Sequence, residues 1–178
     1  MIDFTAIKQA AIILPYRDGK ILMQLRDDKE GIVFPGKWGF FSGRIERGET
    51  PLECAHRELY EELGLLVDEM HPISIDIVKV PLITVLYSYY FYLSSTIESI
   101  VLKEGYDFNL FSLEEINNKK LYSPKAGCCY PVISHNIIVD IANRCFSCVK
   151  ESVETSNDIS GNKQRPYKKK YDIIWSKY

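Results

Sequence analysis

Between Thr50 and Gly64 lies a helix whose two ends are marked in the sequence. Thr50 suits the N-cap, Pro51 the first helical position, and Glu53 completes a capping box. Leu52, Ala55, Leu59 and Leu63 recur at helical spacing as an apolar stripe, and Gly64 is a natural stop. On this helix Glu58, Glu61 and Glu62 stand at i, i+3 and i+4, so they share one face, opposite the stripe. Like charges so spaced destabilise a bare helix by roughly a few tenths of a kcal/mol per pair. Eight acids and two arginines fall between Glu46 and Glu69, and that charge calls for compensation. Mg²⁺ suits it: the ion prefers carboxylate oxygens, keeps several waters and bridges to substrate phosphates. A solvated acidic helix face is the alternative.

The rest of the chain alternates strands and helices. Ile7 to Tyr16 and Lys20 to Arg26 read as strands joined by a hairpin at Asp18-Gly19. Asp27 to Lys37, with Gly31, Pro35 and Gly36, reads as a loop. Trp38 to Phe41 is a short aromatic strand ending at Ser42-Gly43. Ile73 to Leu93 gives two strands broken near Pro81, and the mixed parity of Tyr87, Tyr89, Tyr90 and Tyr92 suits a strand covered on both faces. A strand at Asn109 to Phe111 precedes a short capped helix at Ser112. Pro131 to Val149 reads as a second long helix with Ile133, Ile137, Ile141 and Cys145 on one face.

Around the acidic helix the spacing is specific. Gly43, Glu49, Arg57, Glu58, Leu59, Glu61, Glu62, Gly64 and Leu65 obey G-x5-E-x7-R-E-U-x-E-E-x-G-U, where U is aliphatic. A chance match to all nine positions in such a chain is on the order of 10⁻⁸ to 10⁻⁷. The chain therefore resembles the Nudix hydrolases of the MutT type. The lead-in Pro35 to Gly43 and the downstream Lys103-Glu104-Gly105 extend the resemblance, which covers most of residues 6 to 148.

The resemblance implies an α/β fold, a mixed β-sheet sandwiched between helices (an α/β/α sandwich), with residues 1–150 as the domain and 151–178 as a polar, then basic, tail. It implies hydrolysis of a nucleoside diphosphate linked to another group X, with Mg²⁺, or Mn²⁺ in its place, as cofactor. A nucleoside triphosphate giving the monophosphate and pyrophosphate is the favoured substrate, then ADP-ribose or a nucleotide sugar. Glu58, Glu61 and Glu62 match metal ligands, joined by the Ser42 carbonyl and by Glu104, which serves as ligand or base. Glu58 is the alternative residue for orienting or deprotonating water, and Glu49 and Arg57 match a pair that braces the helix. Arg26, Trp38 and Phe40 are the substrate-binding candidates, with core packing the default for the aromatic ones. Three departures stand out. Ser42 replaces a frequent Gly, which is free of strain only at negative φ. Gly105 and Tyr106 follow Glu104 where Gln is frequent, which alters the substrate rim. No Asn stands in Gly127 to Tyr130, where members that select oxidised guanine nucleotides carry one before the last helix, so 8-oxo-dGTP is left without support.

Composition bounds the remaining readings. A net charge of −2 gives no global reason to bind nucleic acid or an anionic membrane. No apolar run approaches the ~18 residues of a membrane helix. Met1 to Thr5 has no leader-like pattern, and five cysteines are an odd number, so a reducing, cytoplasmic setting is expected. Cys128-Cys129 and Cys145-x-x-Cys148 make an awkward zinc set, and buried or free thiols are the expectation. The last eighteen residues carry six basic side chains against Asp172, leaving the rest near −7. A solvated tail is the expected reading, with RNA docking, as in RNA 5′-end processing, the less favoured alternative. A non-catalytic nucleotide-sensing module is the reading from another class, and a homodimer is compatible with the family.

Overall fold

The computed structural model describes residues 7–79, 82–133 and 136–157. The elements are β1 (Lys8–Arg17), β2 (Lys20–Leu25), β3 (Trp38–Gly39), β4 (Phe41–Arg44), α1 (Pro51–Leu63), β5 (His71–Lys79), β6 (Ile83–Tyr92), β7 (Asp107–Phe111), α2 (Leu113–Asn117), β8 (Lys120–Ser123), β9 (Cys128–Pro131) and α3 (Asn136–Asn157). A 3₁₀ turn, Ile97–Ser99, follows β6.

The sheet is organised by a fork. Asp18 and Gly19, both at positive φ (48° and 74°), make the tight turn of the β1–β2 hairpin. Only Tyr16↔Ile21 and Arg17↔Lys20 pair across it. Beyond them the strands part, and the expected strand Trp38 to Phe41 divides to fill the gap. β3 pairs with Gln24 and Leu25 of β2, whereas β4 pairs with Ala10 to Ile13 of β1. Phe40 sits at the corner, 3% exposed. β6 runs parallel to β1 over nine residue pairs, and β5 closes that side antiparallel; β7 pairs with β2 on the other. The sheet is therefore mixed.

Both faces are covered. On one, Cys54, Ala55, Leu59 and Leu63 of α1 pack with Ala11, Ile13, Leu22, Phe41, Tyr89 and Phe91. On the other, Tyr16 meets Tyr92 and Phe146 of α3 edge-on, with ring centroids 5.9 and 5.7 Å apart. This accounts for the unbroken apolar run of β1 and for the two tyrosine parities of β6. Arg144 of α3 also pairs with Asp76 of β5 at 2.9 Å.

Several sequence expectations shift. Leu52 is 40% exposed, and Cys54 takes its place in the core. The break expected near Pro81 falls outside the described residues. The long helix begins at Asn136, not Pro131, because Val132 N–H bonds to Lys119 O and Ile133 N–H to Trp38 O, which keeps that stretch extended. A hairpin, β8–β9, occupies residues to which the sequence reading assigns no element and ends at Pro131, the expected helix start. The chain divides at Ser147/Cys148 into two units. The second is described over 148–157, the end of α3, where Ser152 Oγ donates to Cys148 O. Residues 158–178, with the basic tail, lie outside the described residues. Among the described residues no helix is long and apolar enough to cross a membrane.

The capping box at Thr50 is complete, with Glu53 N–H donating to Thr50 Oγ1 and Thr50 N–H to Glu53. Thr50→Ala is expected to lower stability by about 1 kcal/mol, read as a lower denaturant midpoint with an unchanged slope.

Candidate active site

Helix α1 delivers the three acids to different environments. Glu62 is 4% exposed and turned into the protein, and the Glu58 side chain is 15% exposed. Glu61 faces solvent at 55%. The expected single acidic face opposite the stripe is thus split, because at 100° per residue position 62 lies beside Leu59 and Leu63.

Arg57 ties the acids together. Its Nε and Nη2 fork onto Glu49 at 2.8 and 3.0 Å, while Nη1 reaches Glu58 at 2.5 Å and Glu61 at 3.0 Å. Nη2 also donates to Arg44 O at the end of β4. The hydrogen bonds from Arg57 hold the Glu49 carboxyl well below its ordinary range, at about 2. Burial pushes Glu58 up, with Arg57 opposing. Cys54 Sγ lies beneath this fork, 3.5 Å from Nη2 and 3.6 Å from Gly43 O, and burial raises its pKa to about 11.

Glycine at position 43 is a steric requirement. A Cβ there would lie 1.8 Å from the Glu58 carboxyl carbon, so that carboxylate rests directly on the β4 backbone. Neighbouring Ser42 keeps the negative φ that its substitution requires; the positive-φ non-glycine residues described are Asp18, Phe34 and Lys119.

Glu62 has a partner that sequence analysis did not single out. Gln24 Nε2, on β2, donates to both carboxylate oxygens at 3.3 and 3.2 Å. The available signal was a lone amide in the apolar run Ile21 to Leu25. Burial raises the Glu62 pKa to about 8, against the opposing Gln24 bond. Lys103 N–H donates to Glu62 O at 2.8 Å, fastening the Glu104 loop to the last turn of α1. Glu104 is exposed and within electrostatic range of both Glu58 and Glu62.

A cavity of about 410 Å³ opens beside Ser42 and Gly43, with mainly apolar walls that include Phe34, Phe40 and Ile137. Arg26 lines it too, and its Nε is buried without a hydrogen-bond partner. Trp38 is not part of it. The indole is fully buried, donates to Leu121 O at 3.1 Å and packs edge-on against Phe111, so it is a core residue, contrary to its candidacy for substrate. Cys128 and Cys129 are exposed and Cys145 is buried. His56 is half-buried on α1, and His135 lies outside the described residues.

The donor set is carboxylate and carbonyl oxygen, Glu62 is buried and Glu58 half-buried, and Arg57 touches it, so its chemistry fits a hard divalent ion. Glu58, Glu61, Glu62, Glu104 and the Ser42 carbonyl are the groups that would hold it. Among the described residues no three acids converge as a ready-made metal cluster. Arg57 and Gln24 engage them instead.

A NUDIX domain model matches residues 7–130. Among curated proteins, the chain is 38% identical over 67 residues to an oxidized purine nucleoside triphosphate hydrolase of Danio rerio, covering 38% of this chain and 41% of that protein. It is 36% identical over 81 residues to an RNA pyrophosphohydrolase of Psychrobacter cryohalolentis, covering 45% and 40%. The nucleoside triphosphatase NudI of Escherichia coli is 40% identical over 70 residues, covering 37% and 49%. The match thus spans less than half the length of each relative. Among solved structures, a MutT protein from Methanosarcina mazei Go1 superposes with a TM-score of 0.61 at 18% identity, covering 81% of this chain and 96% of that one. The E. coli ORF135 protein gives 0.58 at 21%, covering 82% and 92%. At such identities the structural likeness speaks for the fold, an α/β/α sandwich.

Two outcomes test the geometry. A carboxyl with a raised pKa contributes stability that is complete below its unfolded pKa and lost as pH rises through the folded one. In EDTA, the melting temperature should therefore fall as pH rises from the ordinary 4.5 through about 8, and Glu62→Gln should flatten that fall. Gly43→Ala should displace the Glu58 carboxyl and lower metal-dependent turnover roughly 10²-fold, read as kcat, while the fold persists by circular dichroism.

Proposed function

The chain belongs to the NUDIX family, and on that footing we propose that it is a Mg²⁺-dependent pyrophosphohydrolase, most simply one that converts a nucleoside triphosphate to the monophosphate and pyrophosphate. The observation that carries this reading is the Arg57 fork, which holds Glu49, Glu58 and Glu61 together beside a buried Glu62. A binding module has no need of three acids arranged around one arginine beside a fourth that is buried. Support also comes from relatives named as nucleoside triphosphate hydrolases.

The chain's own groups have distinct tasks. When bound, Mg²⁺ neutralises the charge that builds as the anhydride bond breaks. Arg57 fixes the rotamers of Glu49 and Glu58 by its fork. Gln24 orients the Glu62 carboxylate. Water attacks phosphorus, the bridging oxygen leaves with the second phosphate, and Glu58 or Glu104 accepts the proton of the water. The apolar cavity is sized for a nucleoside, with Phe40 in its wall and the free Arg26 Nε as the donor for an acceptor on base or phosphate. ADP-ribose and nucleotide sugars are the next substrates in order.

The deciding experiment is phosphate release from dNTPs, oxidised dGTP, ADP-ribose, nucleotide sugars and 5′-triphosphate RNA, with Mg²⁺ and with EDTA. Turnover that EDTA abolishes and Glu61→Gln lowers by at least tenfold is the expected result. Silence from folded protein across the panel would favour a nucleotide sensor instead.

A further inference from the structure

The loop that carries Glu104 is tied to α1 by a side chain as well as by backbone. Lys103 lies 43 residues beyond Tyr60, and its Nζ donates to Tyr60 O at 3.2 Å. The same ammonium lies over the Tyr60 ring, 4.6 Å from its centroid. Tyr60 O also accepts from Gly64 N–H at 2.9 Å, the bond that closes the helix at its left-handed stop. The last turn of α1 holds no basic residue of its own, so Lys103 supplies from a distance the cation that a helix C-terminus favours. Its side chain passes close over Gly64, where a Cβ would stand 3.2 Å from Lys103 Cε and Nζ. Tyr60 occupies the x of R-E-U-x-E-E, the position in that run that the pattern leaves free. Its ring is half-exposed and offers its face to the ammonium.

The backbone is fastened on both sides of Glu104. Lys103 N–H donates to Glu62 O and Tyr106 N–H to Leu25 O, each at 2.8 Å. Between them Gly105 turns at φ 100°, so close to β2 that a Cβ would lie 2.8 Å from Gln24 Oε1 and 3.3 Å from Leu25 O. The Glu104 carboxylate is different. It is exposed, and among the described residues no hydrogen bond or ion pair anchors it. Its place relative to Glu58 and Glu62 is therefore set by the loop backbone, and Lys103 is the adjoining residue whose side chain grips the helix.

We propose that Lys103 is a positioning residue for Glu104: its ammonium, docked on the carbonyl and ring of Tyr60, holds the loop where Glu104 acts together with the acids of α1. The clamp itself stands on the contacts above. What the positioned carboxylate does rests on the hydrolase reading.

The test has two arms. The first is amide hydrogen exchange over residues 101–106 in EDTA, where the Lys103 and Tyr106 N–H groups report docking of the loop. Lys103→Met keeps the length of the stem and removes the charge. It should speed exchange there roughly tenfold, a charged hydrogen bond and an exposed cation–π contact together being worth about that factor, and leave α1 unchanged. Lys103→Arg keeps a cation that can stack on the ring and should keep the protection. The second arm is AMP formation from ATP and from ADP-ribose with Mg²⁺. Lys103→Met should lower kcat roughly tenfold with little change in KM. In a Glu104→Gln background the same substitution should change kcat by less than about twofold, since the group it positions is gone. An equal loss in both backgrounds would make Lys103 a merely structural contact and overturn the proposal. So would unaltered exchange in Lys103→Met. Turnover that Glu104→Gln leaves at the wild-type level overturns it as well, and leaves the hydrolase standing. No AMP from the folded wild-type protein counts instead against the hydrolase reading, and the exchange arm then decides the clamp by itself.

Discussion

One guanidinium organises the acidic half of this protein. Arg57 spends its donors on Glu49, Glu58, Glu61 and the Arg44 carbonyl. In doing so it joins three pieces of chain: the end of β4, the loop before α1, and the exposed turn of the helix. Without that cation the acids would repel one another and the loop carrying Glu49 would lose its anchor. A planar fork is needed, since a lysine could satisfy one carboxylate but not hold two at fixed angles.

The fork in the sheet does for the backbone what Arg57 does for the side chains. Because β1 and β2 part after two residue pairs, β4 can run beside β1 and carry Gly43 under α1, while β2 continues away with Gln24 and Arg26 at its far end. Glu58 and Glu62, one turn apart on the helix, thereby contact different strands.

What was readable in the sequence was local. Both capping boxes, at Thr50 and Ser112, are decided within four residues, and both helices start where those residues place them. The Asp18-Gly19 turn is fixed by two residues that accept positive φ. The spacing from Gly43 to Leu65 identified the acids and their arginine. What escaped depends on distant partners. Pro131 resembles a helix start, yet bonds from Val132 to Lys119 and from Ile133 to Trp38 hold it in a strand. The β8–β9 pair has strands of four residues with little pattern of their own, and its anchor, Asp107, lies outside the hairpin. Gln24 finds Glu62 across 38 residues of sequence. Trp38 has the composition of a base-stacking residue, and only the carbonyl of Leu121 shows why it is buried.

The placement of the thiols has a practical side. Cys54 sits under Arg57 with its proton held tightly, while Cys128 and Cys129 project from β9 into solvent. A maleimide or iodoacetamide reagent requires an accessible thiolate. Such labels will therefore gather on β9, next to Tyr130, and leave Cys54 on α1 untouched. A fluorophore attached there reports on the β8–β9 hairpin without altering any carboxylate of the site.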